Sequence, residues 1–201
     1  MKKTLFVLLV VPLLLASSVG VTPARDLKPA VTPFSTDDGT IIDMVNQINE
    51  SLLFKYHNGL MKFGPRYTGS ISCTLAAEYI YDAFQQMGLD VEFHDWRYGG
   101  FHSKDVVATY YGNNLNSTAE YMLCGHYDTV AVSPGADDDG SGTAAVLAIA
   151  SVLSNYHFNH TIRFITFSGE EVGTYGSFTY ARDVSYRGDN IVAVLNMDMI
   201  G

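Results

Sequence analysis

Apolar residues recur at helical spacing through Ile41, Val45, Ile48, Leu52 and Tyr56, and predict a helix running from Ile41 to about Met61. A second helix is expected from Thr74 to Met87, where Gly88 stops it. Val91–Trp96 alternates apolar with polar residues, and Val106–Tyr111 and Tyr121–Cys124 are rich in β-favouring types, so all three read as strands. Further along, Thr143–Leu153 is an Ala-rich apolar helix and Thr161–Phe167 a strand. Ser177–Val184 reads as a helix and Ile191–Asn196 as an apolar strand. Strands alternating with helices predict an α/β fold with a largely parallel sheet. Such sheets collect ligands and chemistry beyond the carboxyl ends of their strands. There is no internal repeat.

The ends of the chain follow different rules. Lys2 and Lys3 precede an apolar run from Leu5 to Ala16 and then small residues through Gly20. That order is the charged, apolar and small-residue sequence of a secretory signal peptide, assigned to residues 1–24. The run is shorter than the roughly 20 apolar residues a membrane span needs, and Pro12 interrupts it. Residues 25–39, with Pro29 and Pro33, read as a linker or pro-segment, and residues 40–201 as the folded domain. Export leads to an extracellular or periplasm-like location.

Composition narrows the function classes. The formal net charge is −9, and −11 once Lys2 and Lys3 are lost with the leader, which is the wrong sign for a binder of nucleic-acid phosphates. Two cysteines cannot build a disulfide framework or a cysteine-based zinc site. Cys124 sits in an apolar run, so a buried free thiol is preferred over a pairing with Cys73. Asn49, Asn116 and Asn159 head N-x-[ST] sequons.

Four polar clusters stand where strands end. They are Gly125-His126-Tyr127-Asp128, the run Asp137-Asp138-Asp139 before the Ala-rich helix, Ser168-Gly169-Glu170-Glu171, and Asp198. A parallel sheet would bring all four to one edge. Neutral imidazole and carboxylates suit a catalytic zinc, and a carboxylate between two cations can bridge them. Asp138 or a neighbour could do so from the start of the helix. Glu170 and Glu171 are adjacent and should point apart, so one can bind metal while the other acts as general base. Asp128, two residues past His126, could orient that imidazole.

Taken in order, Gly125–Thr129, Pro134–Gly142, Glu170–Gly173 and Asn196–Met199 closely resemble the co-catalytic di-zinc exopeptidases. The nearest branch is the secreted, leucyl-aminopeptidase-like enzymes of metallopeptidase family twenty-eight, a family that also holds glutamate carboxypeptidases. The resemblance spans about residues 41–201 and implies a three-layer α/β/α fold around a mostly parallel mixed sheet. It implies that His126, Asp138 and Asp198 bind one zinc, with Asp138 bridging to a second held by Glu171. Glu170 would be the general base on the bridging water, Asp128 would support His126, and the Asp138–Asp139 peptide would be cis. Peptides would be the substrates, losing their N-terminal residues.

The family's histidine for the second zinc lies beyond the equivalent of Asp198, so that site is expected to be incomplete in these 201 residues, an N-terminal fragment. His157 and His160 precede the 161–167 strand and fall at the opposite edge, roughly 23 Å from Glu171. Nothing near His57, His94 or His102 suggests a ligand. The resemblance extends to carboxypeptidases and deacylases, although a D-x-K-G motif fits Asp138-Asp139-Gly140 poorly. A single-zinc glutaminyl-cyclase-like enzyme is disfavoured by the full carboxylate set. A binding module on the same fold would be expected to have lost some of these residues.

Overall fold

The computed structural model describes residues 38–201. The proposed leader at 1–24, and the linker up to residue 37, lie outside the described residues. Ten elements follow in chain order: α1 (Asp38–Gln47), α2 (Glu50–Met61), α3 (Ile71–Gln86), β1 (Asp90–Tyr98), β2 (Phe101–Tyr110), β3 (Ala119–His126), α4 (Gly140–Leu153), β4 (Thr161–Phe167), α5 (Tyr175–Arg187) and β5 (Asn190–Asn196).

The single helix expected over 41–61 is two helices, and the first begins at Asp38, inside the stretch read as linker. Asn49 makes the break. Its side chain accepts a hydrogen bond from Leu52 N–H at 3.0 Å, capping α2 instead of continuing α1. Apolar spacing survives such a break, so periodicity alone does not reveal it. Helix α3 starts three residues earlier than expected because Ser70 caps it, accepting from Cys73 N–H at 3.1 Å. Its buried face is Cys73, Ala76, Ala77, Ile80 and Phe84, at the spacing of one helical stripe.

The five strands form one mixed sheet in the order β1-β2-β4-β3-β5. Strands β3, β4 and β5 are mutually parallel, while β2 runs antiparallel to both β1 and β4. The parallel character is therefore confined to the three strands that carry the polar clusters. β5 lies at an edge, with Val192, Val194 and Leu195 more than half exposed.

Side chains alternate across the sheet and feed two cores. Val106 and Phe164 face α2, α3 and α4, joining Leu60, Ile80, Val146 and Leu147 in the larger core. Val107 and Ile165, the next residues along, face α5 and pack with Cys124, Tyr180 and Val184. Helices thus cover both faces, as the three-layer expectation requires. Cys73 and Cys124 are both buried and free, in keeping with the preferred thiol reading. Burial pushes the Cys124 thiol up to about 12. Among the described residues no helix is long and apolar enough to cross a membrane.

Two features of this frame position the site. Register sets His126 opposite Phe167, and Cys124 opposite Asn196, so the three parallel strands end nearly level. Meanwhile the connection after β3 runs to α4 on one face, and that after β4 to α5 on the other. Adjacent strands whose connections diverge leave a crevice at their carboxyl ends.

Close approach at that crevice depends on Gly142, in the first turn of α4. A Cβ there would run into the Met197 carbonyl oxygen and the Asp139 carboxylate. Gly142→Ala is expected to destabilise the fold by about 1–3 kcal/mol, a typical overpacking penalty, read as a lower urea midpoint with unchanged slope.

Candidate metal centre

His126 is the last residue of β3 and is buried. Its Nε2 lies 3.2 Å from Asp138 Oδ1, 3.9 Å from Asp198 Oδ1 and 4.0 Å from Glu170 Oε2. Three carboxylates from three different connections therefore converge on one imidazole nitrogen. None of them forms an ion pair with a Lys or Arg among the described residues. Side-chain exposures of 50% for Asp138, 38% for Glu170 and 37% for Asp198 leave the cluster open to solvent, where a substrate could reach it.

The other ring nitrogen is held from beneath. His126 Nδ1 lies 3.2 Å from the Asp128 carbonyl oxygen and 3.5 Å from its Oδ1. Asp128 is fully buried and also accepts from Thr68 Oγ1 at 2.7 Å, Glu170 N–H at 3.2 Å and Glu171 N–H at 3.3 Å. One carboxylate thus fixes the imidazole and the backbone of both glutamates. Burial disfavours charge on His126, but the hydrogen bond and charge of Asp128, with Asp139 and Glu170, outweigh it and raise its pKa to about 9. Surroundings that favour a proton on this imidazole also favour a divalent cation against Nε2.

Glu170 and Glu171 do point apart, as adjacency requires. Glu170 reaches toward His126, while Glu171 Oε1 accepts from Val130 N–H at 3.2 Å. Burial raises the pKa of both, and neighbouring carboxylates add to the effect, Asp138 chief among them for Glu171. A glutamate held above its ordinary range is a better proton acceptor near neutrality.

Asp139 approaches the same ring of oxygens, since its carboxylate, His126 and Asp198 have donor atoms within 4.8 Å of one another. Its oxygens are already engaged. Oδ2 accepts from His126 N–H at 3.0 Å, and Oδ1 accepts from Gly142 N–H at 2.9 Å and Met199 N–H at 3.2 Å. Asp139 is thus the N-cap of α4 and a tie between three segments. Asp138, joined to it by a cis peptide bond, is the half-exposed partner aimed at His126 Nε2. An imidazole nitrogen with several carboxylate oxygens is a donor set that fits zinc.

The histidines fall where the sequence suggests. His160 Nδ1 lies 2.6 Å from Ser117 Oγ, at the amino edge of the sheet, and His57 Nε2 lies 2.8 Å from the Ala136 carbonyl oxygen. Neither joins the cluster.

Arg66 escaped sequence reasoning. Its side chain is fully buried, donating from Nε to the Tyr127 carbonyl at 2.6 Å, and from its terminal nitrogens to Pro134 at 2.6 Å, Gly135 at 3.1 Å and Gly64 at 3.3 Å. Burial lowers its pKa to about 10, against the pull of nearby anions, and it remains charged at neutral pH. The one available signal was an arginine within Gly64-Pro65-Arg66-Tyr67-Thr68, a turn-rich link between helices. Its partners are all backbone carbonyls, which no side-chain pattern announces.

Comparison with known proteins comes in three parts. Residues 105–201 match Peptidase family M28. Aminopeptidase YwaD of Bacillus subtilis (strain 168) is 36% identical over 100 residues, covering 49% of this chain and 22% of that protein. The chain spans less than half the length of the relatives it matches. In fold it is similar to the LapA aminopeptidase of Legionella pneumophila, with a TM-score of 0.73 at 21% identity, over 82% of this chain and 47% of that one. It is also similar to glutaminyl cyclase of Porphyromonas gingivalis, with a TM-score of 0.69 at 23% identity, over 76% and 60%.

Removing the Arg66 clamp would take the guanidinium donor from the Tyr127 and Pro134 carbonyls. Arg66→Met is expected to cost about 3–5 kcal/mol in unfolding free energy. Arg66→Lys should recover little of it, because a point charge cannot reproduce the planar fork. Urea denaturation of the two variants checks both statements.

Proposed function

With the chain belonging to Peptidase family M28 through residues 105–201, we propose that it is the N-terminal part of a secreted, zinc-dependent aminopeptidase. One observation carries the proposal: Asp138, Glu170 and Asp198 meet at His126 Nε2 within 4.0 Å, with no Lys or Arg paired to them among the described residues. Export rests on Lys2, Lys3 and the apolar run from Leu5 to Ala16.

His126, Asp138 and Asp198 would hold one zinc, and Asp138 with Glu171 a second. Bound zinc would supply Lewis acidity, polarising the scissile carbonyl and lowering the pKa of water. The chain's own residues do the rest. Asp128, through its contacts with Nδ1, fixes the imidazole so that Nε2 faces the cluster. Glu170 takes a proton from the attacking water and returns it to the leaving amine, a task suited to a carboxylate held above its ordinary range. Its half-exposed position leaves room for a substrate's N-terminus. The open face beside Asp138 and Asp198 suits a peptide end entering from solvent.

A glutaminyl-cyclase activity is the second reading, favoured by the likeness in fold to the Porphyromonas enzyme. Four carboxylates around one histidine support the peptidase reading over it.

The test uses the longest reading frame that contains this chain. Aminoacyl-anilide hydrolysis should vanish on dialysis against a chelator and return with added zinc. Glu170→Gln should lower kcat by about 100-fold or more while zinc content stays unchanged. Retained turnover in that variant would remove Glu170 from the proposed role. Glutaminyl-cyclase turnover without anilide hydrolysis would favour the second reading.

A further inference from the structure

The loop that presents Glu170 and Glu171 is held by two buried carboxylates. Asp128 takes the Glu170 and Glu171 amides; the other is Asp105, in β2, which is also fully buried. Its Oδ1 accepts from Ser168 N–H at 2.9 Å and from Trp96 Nε1 at 3.1 Å. The same indole N–H lies 3.1 Å from Ser168 Oγ, which in turn donates to the Lys104 carbonyl at 3.0 Å.

The surroundings leave this segment little freedom. Gly169, at φ +76°, lies against the Trp96 ring, and a side chain there would strike it. Its carbonyl accepts from Tyr175 N–H at 2.8 Å, and the Ser168 carbonyl from Gly176 N–H at 3.1 Å, so the first turn of α5 closes over the same two residues. A Cβ at Gly176 would meet both the Ser168 carbonyl oxygen and Asp105 Oδ1.

Asp105 is itself anchored. Its Oδ2 lies 2.9 Å from His94 Nδ1, and His94 Nε2 lies 3.1 Å from Asp183 Oδ2 on α5. Each ring nitrogen thus faces a carboxylate oxygen, an arrangement that favours the protonated ring. Burial opposes that charge, but the two hydrogen bonds prevail and raise the pKa of His94. The chain Asp183–His94–Asp105–Ser168 links α5, β1 and β2 to the residue two before Glu170.

We propose that Asp105 is a positioning residue for the Glu170–Glu171 pair, holding the Ser168 amide while Asp128 holds the Glu170 and Glu171 amides. Its catalytic consequence rests on the peptidase reading above; its structural consequence does not. Without Asp105 the Ser168 amide would lose its acceptor, leaving the α5 turn and the contacts of Ser168 Oγ at that end. A glutamate carboxylate misplaced by about 1 Å costs on the order of 100-fold in rate.

The experiment compares Asp105→Ala, Asp105→Asn and Trp96→Phe with the wild type in the longest zinc-loaded reading frame. It measures hydrogen exchange of the 167–172 segment, zinc content, kcat and KM. Asp105→Ala is expected to speed exchange there about tenfold or more and to lower kcat about 100-fold. KM should stay within about twofold of wild type, and any zinc loss should be limited to the ion that Glu171 would share, since His126, Asp138 and Asp198 lie on other segments. Asp105→Asn keeps an acceptor oxygen for Ser168 and Trp96, and should recover most of the loss in both readouts.

Should Asp105→Ala fail to fold, Trp96→Phe decides. It deletes the shared N–H together with part of the ring that lies against Gly169, so exchange of the segment should quicken and kcat fall by at least about threefold to tenfold, the worth of one hydrogen bond. Unchanged exchange in a folded Asp105→Ala or in Trp96→Phe overturns the proposal. So does a kcat that returns to the wild-type value once zinc is restored to saturation, or faster exchange with unaltered kcat. A wild type that turns over no N-terminal peptide substrate would refute the peptidase reading alone. The exchange data would still show whether Asp105 holds the loop.

Discussion

The carboxylate of Asp139 takes three backbone N–H groups, one each from His126 at the end of β3, Gly142 in α4 and Met199 beyond β5. Each segment carries or adjoins a residue of the candidate metal cluster, so one buried group sets their separation. Burial works against its charge and raises its pKa to about 6, while those same donors hold the ionised form. Gly125 and Gly142 make the arrangement sterically feasible, because a side chain at either position would collide with the Asp139 carboxylate. Without this knot, level strand ends would bring the clusters to one edge but would not fix their separation.

A general division of labour follows. The residues that face solvent, Asp138, Glu170 and Asp198, are the ones free to meet a cation. The fully buried carboxylates, Asp105, Asp128 and Asp139, spend their oxygens on backbone amides and on histidine. Arg66 does the complementary task with donors, gathering the carbonyls of the 127–135 connection. A buried charge is tolerated only with such full hydrogen bonding, so these positions are strongly constrained even though none needs to touch a substrate. The site is a set of exposed oxygens displayed on a rigid polar understructure.

Much of this was legible beforehand, and the reasons differ by residue. Strands β3, β4 and β5 announced themselves as apolar runs, and each ended in a polar cluster, so His126, Asp138, Glu170 and Asp198 could be named together. The support of His126 by Asp128 followed from their spacing. The break at Asn49 was hidden because the apolar stripe continues through it, and the antiparallel course of β2 was hidden because strand direction leaves no mark on a single sequence. Arg66, Asp105 and His94 were missed for a shared reason. Their partners are main-chain groups or residues tens of positions away, as with Asp105 and Ser168.

Sequence by itself determined the alternation of helices and strands, the identity of the metal-suited side chains, and the opposite pointing of Glu170 and Glu171, because periodicity and adjacency are local properties of a chain. Tertiary structure decided which aspartate of the 137–139 run is exposed and which is a cap, and which buried groups hold the loops in place. Three consecutive identical side chains carry no distinguishing pattern; only the packing of α4 against β3 and the 197–199 segment separates Asp138 from Asp139.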